Sequence, residues 1–258
     1  MPYANLASSR IFYLVDGPED APWLVLSNSL GANADMWSKQ VPELSRHFRV
    51  LRYDARGHGH SPATQGEYSL ADLGGDLSDL LTFLKIERAH VCGLSVGGLT
   101  AMWLALTHPQ QVDRLILCNT SSRIGSNESW ETRIDTVRTN GVEAMAYEFI
   151  QRWLSADYLA KQPESSQILI DMMRRISTDG YAATCAALRD ADLDAQVHDI
   201  VAKVLLIGGT HDLSTTPQAM LALTAKIPGA QYHELDASHI SNWEQASEFS
   251  DKVVKFLA

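Results

Sequence analysis

Ser95 sits in Gly93-Leu94-Ser95-Val96-Gly97, with a further glycine at 98, where the β-like run AHVCGL gives way to the helix-like LTAMWLALTHP. Inside a regular element glycine costs roughly 0.5–1 kcal/mol relative to alanine. Crowding glycines here therefore marks a demand for space or for unusual backbone angles around one polar side chain. G-x-S-x-G is the spacing of a serine on a sharp strand-to-helix turn, which lifts the hydroxyl clear of the sheet. The same turn brings the next backbone N–H, that of Val96, to the space the hydroxyl faces, so a nucleophile and an oxyanion donor arrive together. A turn that only packs against its helix would use the same residues, but the strand-turn-helix setting is the one the catalytic reading requires.

A serine hydroxyl is a weak nucleophile at neutral pH and needs a base, itself oriented by a carboxylate. Asp212 lies in GGTHD just after KVLLIG, and His239 lies in DASHIS just after QYHEL, giving the chain order Ser, Asp, His. Taken singly, His239 reads as an ordinary hydrogen-bonded histidine and Asp212 as a cap for a helix near Pro217. Three residue types in order, each after its own strand, favour a triad. Asp236 is a substitute acid and Asp113 a weaker one, since it begins a strand, whereas the end of that strand carries Asn119. A second oxyanion donor is expected from the loop Asn28-Ser29-Leu30-Gly31 after WLVLS, with the backbone N–H of Leu30 as candidate.

The elements that must position these groups are short apolar runs at 11–15, 23–27, 48–53, 89–94, 114–119, 203–208 and 231–235, separated from residue 48 onward by helix-like segments. That alternation predicts an α/β fold with a mostly parallel sheet of seven to eight strands and right-handed crossovers. The first two runs, joined by DGPEDAP, suggest an antiparallel, hairpin-like opening. Active groups then fall at strand C-terminal ends, where open α/β sheets place their sites. Residues 122–201 contain no convincing strand, only helical patterns such as VEAMAYEFIQRWL, and are read as a helical cap inserted into a core formed by 1–121 and 202–258. WEQASEFSDKVVKFLA, from 243 to 258, is expected to close the chain as an amphipathic helix.

Composition narrows the function classes. The net charge of −10 argues against a nucleic-acid or anionic-membrane surface and for a small-molecule partner. Cys92, Cys118 and Cys185 are dispersed without a CxxC pair, so neither a disulfide framework nor a zinc site is indicated. With no signal-peptide pattern and no apolar stretch near the ~20 residues of a membrane span, a soluble cytoplasmic protein is expected. DARGHGHS, 54–61, looks metal-binding at first sight, but His58 and His60 lack further ligands at zinc spacing. A structured turn held by Asp54 and Arg56, shaping the pocket floor, is the better reading, and no metal or cofactor is expected.

GLSVGG, DARGHGHS, GTHD and the late histidine together resemble the α/β-hydrolase fold over nearly the whole chain. More narrowly, SNSLG, VLRYDARGHG, LILCNTSSRIG and GTHD with HISNWEQ resemble the β-ketoadipate enol-lactonases of aromatic-compound breakdown. Two departures from the wider fold stand out. Asn28-Ser29 replaces the common His-Gly before the oxyanion residue, and Ser95 stands where dehalogenases and epoxide hydrolases of this fold carry aspartate.

The resemblance implies a small anionic lactone as substrate, opened to β-ketoadipate through an acyl-enzyme. Its acetate arm would need a cation in the pocket, for which Arg133 is the candidate, with Trp130 one helix turn before it packing over the ring and Trp153 also in contact. Arg123 and Arg152 are rivals. A general carboxylesterase, a hydrolase of carbon–carbon bonds in ring-cleavage products, and a ligand-sensing protein of this fold are the competing readings. A perhydrolase side activity would use the same serine, histidine and oxyanion donors.

Overall fold

In a computed structural model, which describes residues 2–258, eight strands form one sheet: β1 (Tyr3–Asn5), β2 (Arg10–Asp16), β3 (Trp23–Ser27), β4 (Arg49–Tyr53), β5 (Ala89–Leu94), β6 (Val112–Cys118), β7 (Lys203–Gly209) and β8 (Gln231–Leu235). Their spatial order is β1-β2-β4-β3-β5-β6-β7-β8. Strands β3 to β8 run parallel, while β1 pairs antiparallel with β2 and β2 antiparallel with β4. The opening is thus antiparallel, but β2 and β3 are not hairpin partners. Both edges of β3 are taken by parallel neighbours, and β4 lies between it and β2. Strand β1 escaped the sequence reading because three residues are too few to show a period-two pattern.

The central strands are mostly apolar because both faces are covered; every residue of β5, His90 included, is buried. Helix α1 (Val41–Leu44) precedes β4, and α2 (Leu70–Phe83) starts at a capping box in which Ser69 and Asp72 satisfy each other's backbone N–H groups. Helix α3 (Val96–Thr107) follows β5 and packs on α2 and on the sheet.

Between β6 and β7 come α4 (Asn127–Asn140), α5 (Val142–Trp153), α6 (Ala156–Lys161), α7 (Pro163–Arg174) and α8 (Thr178–Asp190). Helix α4 packs chiefly on α8 and α5 on α7, with Ile134, Val137, Phe149, Leu169 and Met173 buried between them. Helix α9 (Pro217–Lys226) connects β7 to β8. The chain closes as two helices, α10 (Ser241–Glu244) and α11 (Ala246–Leu257), since the backbone leaves helical angles at Gln245. Among the described residues no helix is long and apolar enough to cross a membrane.

Candidate active site

Ser95 occupies φ 59°, ψ −119°, a left-handed conformation that a side chain tolerates only when its surroundings hold it there. The holding contacts are explicit. Its N–H donates to the Cys118 carbonyl at 2.9 Å, and its own carbonyl accepts from the Thr120 hydroxyl at 2.8 Å. A Cβ on Gly93 would lie 2.1 Å from the Gly97 carbonyl oxygen, and one on Gly97 would lie 2.2 Å from that of Ser27. The glycines therefore supply close approach of strand, turn and oxyanion loop, and Gly98 does the same against Thr120.

Asp212 and His239 meet across the ends of β7 and β8, with His239 Nδ1 2.8 Å from Asp212 Oδ2. Because a carboxylate only accepts, Nδ1 carries the proton and Nε2 is left as the basic nitrogen. Asp212 is buried, which alone would raise its carboxyl pKa. The imidazole beside it and hydrogen bonds from Thr215 and Asn119 overcome burial and hold the carboxyl well below the usual carboxylate range. Ser95 and His239 line one cavity of about 410 Å³. Among the described residues no hydrogen bond yet joins the serine hydroxyl to the ring, and such bonds often tighten only when a substrate is bound.

The rival acids are elsewhere. Asp236 is exposed and accepts from His211 at 2.8 Å, and Asp113 pairs with Arg88 and His90 at the opposite end of β6. Asp212 does organise its local turn through Ser214 and Thr215, but Thr216 caps α9.

Leu30 is buried and lines the same cavity, and among the described residues neither its N–H nor that of Val96 meets an acceptor. Val96 itself borders a separate internal void of about 20 Å³ behind the turn. The loop 28–33 is pinned from several sides. Asn28 donates to the Tyr53 carbonyl at 2.6 Å and accepts from the Trp37 indole at 2.8 Å. The Asn28 side chain thus ties the loop both to β4 and to Trp37. Gly31, at φ 79°, leaves no room for a side chain, since a Cβ would lie 2.5 Å from the Met173 thioether.

DARGHGHS forms the structured turn its polar residues suggested. Asp54 accepts from the N–H groups of Ala34 and His60, each at 2.7 Å, and Arg56 forms a two-point ion pair with buried Asp76 at 2.6 and 2.7 Å. Its Ala55 and His58 line the small void and none of its residues lines the large cavity, so it lies behind the 28–33 loop instead of forming the pocket floor. Among the described residues no three His, Cys, Asp or Glu side chains are grouped to hold a metal.

Trp130, Arg133 and Trp153 all line the cavity, together with Arg152. The Arg133 guanidinium lies 4.9 Å from the centre of the Phe149 ring and 5.3 Å from that of Trp130, and reaches the Tyr181 hydroxyl at 3.4 Å. Arg123 is outside, paired with Asp192 and Asn127 on the surface. The group that sequence reasoning left unused is Asn119. Fully buried at φ 42°, it donates through Nδ2 to Asp212 Oδ2 at 3.0 Å and to the Ser238 carbonyl at 3.2 Å, and accepts from Ser241 at 2.5 Å. Its place at the end of β6, between two strands whose ends carry the other groups, was the available signal.

The sequence profile described as alpha/beta hydrolase fold matches residues 22–157. The chain belongs to the α/β-hydrolase family. It is 37% identical to 3-oxoadipate enol-lactonase 2 of Acinetobacter baylyi, covering 93% of this chain and 90% of that one. Among solved structures it is similar to the enol-lactonase from Burkholderia xenovorans LB400, with a TM-score of 0.98, 47% identity and 99% of each chain covered. A hydrolase from Pseudomonas aeruginosa PA01 superposes with a TM-score of 0.97 at 39% identity, covering 100% of this chain and 98% of the other. The two enol-lactonases among these agree with the resemblance read from the sequence.

Proposed function

We propose that this α/β-hydrolase is a carboxylic ester hydrolase that opens β-ketoadipate (3-oxoadipate) enol-lactone to β-ketoadipate, with Ser95, His239 and Asp212 as its catalytic triad and residues 122–201 as a cap over the core. The enol-lactonase relatives support the reaction type. The observation that carries the substrate is Arg133, a cation that among the described residues has no carboxylate partner, in the cavity that Ser95 and His239 share. An anionic arm is what such a group is fitted to receive.

In this mechanism His239, held by Asp212, takes the Ser95 proton as Oγ adds to the lactone carbonyl. The N–H groups of Leu30 and Val96 stabilise the oxyanion. Collapse breaks the ring C–O bond, and the enolate leaving oxygen takes the proton from His239. The freed enol becomes the ketone. Water then loses a proton to His239 and cleaves the acyl-enzyme, and Ser95 regains its proton. No cofactor enters any step.

The test is turnover of the purified protein on enol-lactone, followed by loss of the enol-lactone absorbance, beside p-nitrophenyl acetate and a ring-cleavage dienoate. Lactone opening is expected to be the fastest, and Ser95→Ala to lower it by several orders of magnitude. Turnover of the dienoate without the lactone would reject the assignment.

A further inference from the structure

The protein carries 31 acidic against 21 basic side chains, yet the lining of the 410 Å³ cavity holds two guanidiniums, Arg133 and Arg152, and no carboxylate. Among the described residues neither guanidinium is in a salt bridge, and Arg133 reaches the Tyr181 hydroxyl at 3.4 Å. Arg152 and Leu213 also border a second, more open cavity of about 590 Å³ beside the first.

The chemistry of the acyl-enzyme adds a constraint, and here the inference rests on the proposed lactonase reaction. Once the ring opens, Ser95 carries a straight chain with an ester carbonyl at one end and a free carboxylate at the other, four carbons apart. Every turnover ends by hydrolysing this half-ester of a linear dicarboxylic acid. The deacylation geometry is therefore complementary to an acyclic chain anchored by its carboxylate, and the ring is absent from that half of the reaction. A lactone keeps its leaving oxygen tethered, whereas an acyclic ester releases a separate alcohol, for which the 410 Å³ cavity at Ser95 leaves room.

We infer that the protein is also a half-esterase, hydrolysing acyclic monoesters of adipate-length dicarboxylic acids with the free carboxylate on Arg133 and the ester carbonyl at Ser95. Ser95 Oγ bonds to the carbonyl carbon as its proton passes to His239. The alkoxide departs and takes that proton to become the alcohol. Water, giving a proton to His239, then cleaves the acyl-enzyme to the second carboxylate, and Ser95 is reprotonated. One water is consumed and, at neutral pH, one proton is released to solvent.

The experiment compares kcat/KM for monomethyl adipate, dimethyl adipate and the enol-lactone with the unmodified protein, Arg133→Gln and Arg133→Lys. The monoester is expected to exceed the diester by tenfold or more. In Arg133→Gln the ratio should fall to within about twofold, and Arg133→Lys should restore part of it. Equal or faster hydrolysis of the diester by the unmodified protein, or lactone opening with neither ester touched, overturns the inference. Preference for the monoester without lactone opening upholds it and removes the lactonase reading instead.

Discussion

Replacing Asn119 by glycine isolates what its side-chain amide does for Asp212. At φ 42° the backbone is one that glycine adopts without strain, so Asn119→Gly removes the amide and relieves the turn, where Asn119→Ala would add strain of its own. The lost contacts are a hydrogen bond to the Asp212 carboxylate at 3.0 Å, one to the Ser238 carbonyl at 3.2 Å, and the acceptor of the Ser241 hydroxyl. A hydrogen bond to a charged group is worth about 1.5–3 kcal/mol. Asp212 keeps its bonds from Thr215 and Ser214, so it stays in place but is held less firmly. If the whole of that energy is expressed in orienting His239, kcat falls by roughly 10- to 100-fold, at about 1.4 kcal/mol per factor of ten. KM should barely move, because Asn119 does not line the cavity. Steady-state kinetics on a folded variant, checked by thermal melting, decide the matter. A kcat within twofold of the original would show that the other contacts suffice and that Asn119 only fills the core.

Burial pushes the His58 imidazole down to about 4 from 6.5, with Nδ1 donating to the Arg56 carbonyl and Nε2 without a protein partner. Between those pH values the unfolded chain binds the proton and the native one does not, so stability rises with pH and about 3 kcal/mol is lost on acidification from pH 7 to 4. Urea midpoints should show this in the native protein and a flatter pH dependence in His58→Gln; parallel curves would refute it. Gly97→Ala places a methyl 2.2 Å from the Ser27 carbonyl oxygen, and a cost of about 1–3 kcal/mol with a large loss of kcat is expected from melts and kinetics together. Met172→Leu removes the sulfur that accepts the Asn33 N–H at 3.4 Å while preserving volume, and is expected to lower kcat several-fold with a change in Tm of only a few degrees.

The chemical residues were legible because their types are demanding. A serine crowded by glycines, an acid and a histidine, each just past a β-like run, leave few other arrangements, and the strand-end rule supplied their common location. Residues that act by hydrogen bonding to these groups carry no such mark. Asn119, Thr215 and Ser241 are of types found at any turn, and only the folded chain brings Asn119 and Thr215 onto one carboxylate, with Ser241 donating to Asn119 behind it. Strand pairing failed for a related reason. Turn residues between β2 and β3 indicate that the chain reverses, but whether the reversed strands pair depends on β4, which comes later in sequence and takes the place between them.

The loops around Ser95 share a feature that no pattern in the sequence disclosed. Ser29 N–H donates to the Met36 sulfur at 3.3 Å, Asn33 N–H to that of Met172 at 3.4 Å, and Thr120 N–H to that of Met220 at 3.3 Å. A thioether is a weak acceptor on a flexible stem, so each joint satisfies a buried or half-buried N–H while allowing small shifts. Two of the three flank Leu30, and Met172 comes from α7, outside the sheet core. The histidine loop has a firmer tie to the same helical region, since Ile240 N–H donates to the Trp153 carbonyl at 3.0 Å and Glu244 accepts from both Ser155 and Ser238. His239 is thereby tied to the helices that line the cavity, while the 28–33 loop rests against them through soft contacts. If the proposed substrate sits on Arg133, that loop is expected to yield at little cost while the groups behind His239 stay in place.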